Sequence, residues 1–200
     1  PLVEVFPKYY LDILANSLSV ISSQYKIKVT GGVEAINYLR TKLPSIKKDK
    51  IILVLLKHNE FIKELNHSLH FITTAGQTAT LEAFALGIPT SFLLPMNLSQ
   101  LALTDLLSRY DSAPQCLLWN SYVLEKKNDI PATEKDALVL LNVYAEMIKN
   151  DKRVYQKLSN DIVRMITNIP NSEGQKKFID NLGVNGAKIV MEILSKKWDL

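Results

Sequence analysis

Between Phe71 and Gln100 the chain reads FITTAGQTATLEAFALGIPTSFLLPMNLSQ, and this run admits few folds. Phe71-Ile72-Thr73 closes a short β-rich stretch, Thr78 to Leu86 takes helical spacing, and Thr90 to Leu94 is a second short apolar run. A short apolar strand after such a helix reads as a parallel strand buried on both faces. Gly76 stands at the strand-to-helix turn, and Gly87-Ile88-Pro89 closes the helix, with glycine past the last turn and proline soon after it. The expected fold class is α/β, a parallel sheet flanked by helices.

In an open sheet of that kind the strand-to-helix turn lies outside the carboxyl end of a strand. The unpaired N–H groups of Gln77, Thr78 and Ala79 then face a crevice, and free amides with the helix dipole make an anion site. Glu82 follows about one turn into the helix, within reach of a diol in the same crevice. Pro95 to Gln100 leaves the next strand at the same edge and brings Asn97, Ser99 and Gln100 toward Gly76 and Glu82. Taken singly, Gly76 reads as a tight turn and Glu82 as a solvated helix residue; the joint spacing with Gly87, Pro89 and Gln100 favours a site.

Gly76, Glu82, Ala83, Gly87, Pro89, Pro95 and Gln100 fall in the order of a pattern that this segment resembles, the donor-binding half of GT-B nucleotide-sugar glycosyltransferases. The resemblance implies a Rossmann-like domain in which Gly76 to Thr78 hold the donor diphosphate, Glu82 bonds the ribose hydroxyls and Gln100 bonds the sugar. Ala79 stands where many relatives carry Thr, and the Pro95 to Gln100 loop is shorter than in the peptidoglycan-precursor N-acetylglucosaminyltransferases. That short loop is similar to the one in cytosylglucuronate-synthase type enzymes.

Upstream, Lys26 to Thr30 is a strand candidate running into Gly31-Gly32 and a helix from Val33 to about Leu43. This resembles the opening βα unit of such a domain, with the glycine pair letting backbone approach phosphate. Ile51 to Leu55 and then His58 to Leu65 resemble the strand and short helix beside the nucleotide base, so main-chain groups of Leu56 to Asn59 are base-contact candidates. Only one helix fits between Gly32 and Ile51, which implies a reduced version of the domain.

The pattern alternates strand and helix to about Trp119 and is helical afterwards. Tyr9 to Ser22 and Leu98 to Tyr110 read as helices and Cys116 to Trp119 as a last short strand. Beyond Asn128-Asp129-Ile130-Pro131, Thr133 caps a helix from Glu134 to Lys149; further helices span Asp151 to Thr167 and Gly186 to Lys197. Residues 1–132 are read as the nucleotide-sugar-binding domain and 133–200 as helices packed on it. Two hundred residues, 47% hydrophobic and 22% charged, suit one α/β core.

Several classes lose support. No stretch approaches the ~18 apolar residues of a membrane span and no targeting pattern is visible, so a soluble chain is expected. Cys116 is the single cysteine, which excludes an internal disulfide and points to a reducing cytoplasm. Pro1 in place of Met predicts a trimmed or partial chain. His58, His67 and His70 have no cysteine or acidic cluster beside them and no Asp-x-Asp occurs, so neither metal nor other cofactor is expected. Neither a Gly-x-Ser-x-Gly elbow nor a P-loop is present.

The net charge of +4 comes from scattered pairs at Lys47-Lys48, Lys126-Lys127, Lys176-Lys177 and Lys196-Lys197, without the interleaved aromatics of a nucleic-acid surface. It suits an anionic nucleotide-sugar or an anionic membrane surface without choosing between them. The resemblance implies a glycosyltransferase whose general base belongs to an N-terminal domain or a partner chain, with a uridine donor and with Lys8 as an added charge at the diphosphate. A nucleotide-sugar 2-epimerase, a non-catalytic subunit of a split transferase and an α/β module without a nucleotide site stay open as alternatives.

Overall fold

The structure, a computed structural model, describes residues 2–21, 25–43, 50–123 and 131–183. It begins with α1 (Leu2–Val20), β1 (Ile27–Thr30), α2 (Val33–Lys42), β2 (Ile51–Val54), α3 (His58–Asn66), β3 (Phe71–Thr74), α4 (Gln77–Ala85) and β4 (Thr90–Leu93). It continues with α5 (Leu98–Arg109), a 3-10 turn (Trp119–Ser121), α6 (Glu134–Asn150), α7 (Lys152–Thr167) and α8 (Glu173–Leu182). The fold is α/β. Both strand pairs are parallel, β1 with β2 from Ile27↔Ile51 and β3 with β4 from Phe71↔Thr90. Among the described residues no ladder joins the two pairs.

The expected strands and helices sit within a residue or two of their places, with instructive exceptions. The helix expected from Tyr9 begins at Leu2 and runs through Pro7, although proline brings no amide to it. The strand expected at Cys116 to Trp119 shrinks to one parallel bridge, Cys116 to Phe92, before the chain tightens into the 3-10 turn. The helix expected over Gly186 to Lys197 lies outside the described residues. Helix α8, by contrast, has no counterpart in the sequence reading.

Strand β4 is buried along its whole length because helices cover both of its faces. Successive side chains alternate. Phe92 enters a cluster with Ala75, Phe84, Leu107 and Ile179, from the α4, α5 and α8 side. Leu93 faces the larger core of Tyr10, Ile13, Trp119, Leu141, Ile148, Leu158 and Ile162, built by α1, α6 and α7. Where α1 crosses α7, the Ser17 and Ser159 hydroxyls meet at 3.0 Å, and small side chains permit that close approach.

The outer edge of β4 is completed by two different devices. Phe92 N–H donates to the Gln115 carbonyl and Leu117 N–H to the Phe92 carbonyl, both at 2.9 Å. At Thr90 there is no strand to pair with, and Gln175 of α8 takes its place: Thr90 N–H donates to Gln175 Oε1 at 3.0 Å, and Gln175 Nε2 donates to the Thr90 carbonyl at 2.6 Å. A primary amide reproduces the donor and acceptor of a peptide, so one side chain extends the ladder.

Helix α8 approaches this closely because of Gly174. A Cβ there would overlap the Asp111 carbonyl, in a turn where Asp111 itself has φ 53°. Ser112 Oγ donates to the Gly174 carbonyl at 3.2 Å.

Replacing Gln175 with Ala strands two buried backbone groups, and Gln175→Glu removes the donor. We expect losses of about 2–4 kcal/mol for the first and a comparable loss for the second, read by urea unfolding. Gly174→Ala should lose about 2–4 kcal/mol through the Asp111 overlap. A fully stable Gly174→Ala protein would refute this docking of α8.

Candidate functional site

Parallel strands send their carboxyl ends to one edge, and there the sequence places its turn glycines. Gly32 is the N-cap of α2 and Gly76 the N-cap of α4; neither has a side chain to accept from the first free amides. The neighbouring helices are capped. Asn97 Oδ1 accepts from Gln100 N–H at 2.9 Å at the start of α5, Thr133 Oγ1 from Asp136 N–H at 3.2 Å, and Asp151 Oδ1 from Arg153 N–H at 2.8 Å. At α3, Glu60 reaches back to Lys57 N–H at 2.8 Å. The amides of Gln77, Thr78 and Ala79 are thus left at a positive helix end, as are those at the start of α2.

The glycines in these turns are not demanded by the backbone. Gly32 has φ −62° and Gly76 φ −76°, in extended conformations open to any residue. A Cβ at Gly31 or Gly32 would meet nothing within 4 Å, and one at Gly76 would stand at an ordinary 3.7 Å from the Thr74 carbonyl. The strand-to-helix turn expected at Gly76 is present, and its N–H bonds back to the Thr74 carbonyl.

Glu82 sits one turn into α4 with its side chain 24% exposed, and its Oε1 lies 3.3 Å from His58 Nε2. His58 opens α3 directly after the Leu55 to Lys57 segment. The contact ties the carboxyl end of β2 to that of β3, so the proposed base segment and the proposed ribose acid are neighbours. The sequence offers His58 as an unsupported metal candidate and, through its main chain, as part of a base-contact segment; its side-chain pairing joins two separate βα units and leaves no local signal.

Asn97, Ser99 and Gln100 leave the same edge but serve the start of α5. Asn97 Oδ1 also accepts from Ser99 Oγ at 2.9 Å, and Gln100 Oε1 accepts from Met96 N–H at 2.8 Å. Glu134 Oε2 takes Leu98 N–H at 3.1 Å. No described hydrogen bond or ion pair joins this loop to Gly76 or Glu82, nor Gly31 and Gly32 to either. No described hydrogen bond engages Gln100 Nε2. Lys8 is exposed on α1 with no described contact to these turns.

The three histidines occupy separate places. His67 Nδ1 lies 2.6 Å from the Lys63 carbonyl, and among the described residues no three His, Cys, Asp or Glu converge. His70 Nε2 is 2.8 Å from Ser91 Oγ, the spacing of a nucleophile and its base. Ser91 is nevertheless fully buried and donates its proton to Gln115 Oε1 at 2.8 Å, while Gln115 Nε2 donates to the Asn168 carbonyl at 2.9 Å. With that direction of donation the imidazole must hold its proton on Nε2, so it is a link in a structural chain and no general base. Cys116 is equally inert, since burial pushes its thiol up to about 12.

Comparison with known proteins found no match for the chain among family models, curated proteins or solved structures. Among the described residues no helix is long and apolar enough to cross a membrane.

Burial pushes the His70 imidazole down to about 4. An unfolded histidine titrates near ~6.5, so the unfolded chain binds a proton that the folded one refuses between those values. His70 should therefore contribute up to about 3 kcal/mol above pH ~6.5, and this is lost as pH falls toward 4. His70→Gln should flatten the decline of the urea midpoint over that range. Parallel curves for the two proteins would place the proton elsewhere.

Proposed function

We propose that this chain is the donor-binding domain of a GT-B type glycosyltransferase, a Rossmann-like fold that holds a nucleotide diphospho-sugar. The observation that carries the reading is the uncapped α4 start at Gly76, one turn before a carboxylate that meets His58 across the strand edge. A diphosphate needs backbone amides that no side chain has claimed, and glycine lets it come close. A ribose needs an acceptor for two hydroxyls about one residue's length away from those amides. Glu82 is such an acceptor, and the Leu56 to Asn59 segment beside its His58 partner would meet the base.

In this reading the domain stabilises the leaving nucleotide diphosphate electrostatically, through fixed amides of α4 and, on the Gly31-Gly32 side, of α2. Preorganised donors of this kind are worth roughly 10²–10³ in rate each. Gln100 Nε2 would reach a sugar hydroxyl. Acceptor and general base come from another domain or chain, as in the GT-B enzymes that the segment resembles. The donor base is uridine, and the chemistry proceeds at this site without a bound metal.

Calorimetric titration with UDP, CDP, GDP and UDP-sugars tests this. One diphosphate should bind at micromolar concentration. Glu82→Ala should weaken it by about 1–3 kcal/mol through the lost charge-assisted bonds. Gly31→Ala should keep its unfolding midpoint, Gly76→Ala should lose no more than about 1 kcal/mol at its N-cap, and both should weaken binding, because their added methyl groups crowd the ligand and not the fold. Binding that ignores all three variants would remove the assignment.

A further inference from the structure

The Glu82 carboxylate has one described partner, and that partner belongs to another βα unit. His58 Nε2 lies 3.3 Å from Glu82 Oε1, and no described hydrogen bond or ion pair engages Oε2. The two side chains differ in burial, Glu82 being 24% exposed and His58 65%. A long carboxylate side chain without a partner samples several rotamers, and a contact that holds one of them removes that freedom before a ligand arrives.

Both ends of the contact stand on fixed backbone. Glu60 Oε2 accepts from Lys57 N–H at 2.8 Å and so closes the start of α3, immediately before His58. Farther along α3, Leu65 is buried with Ala83 and Ile88, and Phe61 packs on the same cluster and meets Phe71 edge-on at 5.7 Å. Ala83 is the neighbour of Glu82 in α4, and its carbonyl accepts from Ile88 N–H at 2.9 Å. The packing of α3 on α4 therefore sets the separation of His58 from Glu82. An exposed pair of this kind contributes little to stability, and α3 is closed without the imidazole.

We propose that His58 is a positioning residue for the ribose acceptor of the nucleotide site. Its Nε2–H holds Oε1, so that Glu82 meets the two ribose hydroxyls in one rotamer with the second oxygen unclaimed. The role rests on the nucleotide reading and adds to it a side chain that acts through Glu82. A carboxylate offers about four acceptor positions on its two oxygens, so one imidazole donor leaves enough for a diol. The contact requires a proton on Nε2, which the neutral Nε2–H tautomer and the imidazolium both carry.

The 200-residue chain and its variants are titrated calorimetrically with UDP, CDP and GDP. For the diphosphate that binds, His58→Ala should weaken binding about three- to tenfold, because the carboxylate must then be ordered at each binding event. On a Glu82→Ala background the same substitution should cost nothing further, since its route to the ligand is gone. His58→Gln, whose amide nitrogen is a donor at nearly the reach of Nε2, should restore most of the affinity. Unfolding midpoints should hold in both His58 variants, as the side chain is 65% exposed. Equal losses from His58→Ala with and without Glu82 would mean a direct contact or a structural role and overturn the inference. Undiminished binding by His58→Ala, where Glu82→Ala weakens it, would do the same and leave the nucleotide reading standing. No binding of any diphosphate, or binding that Glu82→Ala leaves untouched, would instead remove that reading and this role with it.

Discussion

The peptide groups of Thr90 are fully buried on a strand that has one neighbour at that point, and the rest of the molecule is arranged around satisfying them. β3 takes the bonds on one side of β4; on the other, the Gln115 to Leu117 segment covers Phe92 and the Gln175 amide covers Thr90. A buried unpaired N–H or carbonyl costs about 1–3 kcal/mol, so β4 cannot be sandwiched between helices until its edge is closed. That closure fixes where α8 lies, and α8 in turn closes the Phe84 and Phe92 cluster with Ile179. Phe178 meets Phe84 edge-on at 6.1 Å on the same side. The opposite face, with Leu93 against α1, α6 and α7, can then grow into the larger core.

This dependence explains which parts of the fold were legible. Strands and helices with a local signal were readable: the apolar run of β4, the Thr133 cap of α6, and the glycine and proline that close α4. Gly87, at φ 70°, has the left-handed backbone expected of a glycine past a helix end. Helix α8 was not readable, because Gly174 in its first turn looks like a breaker. The reason for glycine there is the Asp111 carbonyl, which lies far away in sequence. Asp151, expected as the first residue of a helix, is instead the extended residue that ends α6 and caps α7.

The candidate site divides in the same way. Uncapped turns at Gly32 and Gly76 follow from local sequence, and the structure has them where the strand-to-helix pattern put them. The Glu82 to His58 contact depends on how two βα units sit beside each other, and no spacing rule announces it. Asn97 and Ser99 looked like ligand groups because they end a strand at the right edge. Their polar atoms are also what a helix start requires, and α5 uses them for that. A residue type favoured both by caps and by sugars cannot be assigned from its type alone.

Glycine is the residue for which the two demands can be told apart. Gly87 and Gly183 have positive φ, and Gly174 has a carbonyl where a side chain would be, so the fold accounts for all three. Gly31, Gly32 and Gly76 have neither reason. At the N-cap positions of Gly32 and Gly76, Ser, Asp or Asn would serve α2 and α4 better than glycine does. Folding stability alone would favour replacing them, and they all lie where parallel strands end and helices begin. The first turn of α7 shows the contrast, since there the Asp151 carboxylate caps the free amides and offsets the charges of Lys152 and Arg153. At Gly32 and Gly76 no side chain does this, and the free amides turn the positive end of each helix outward.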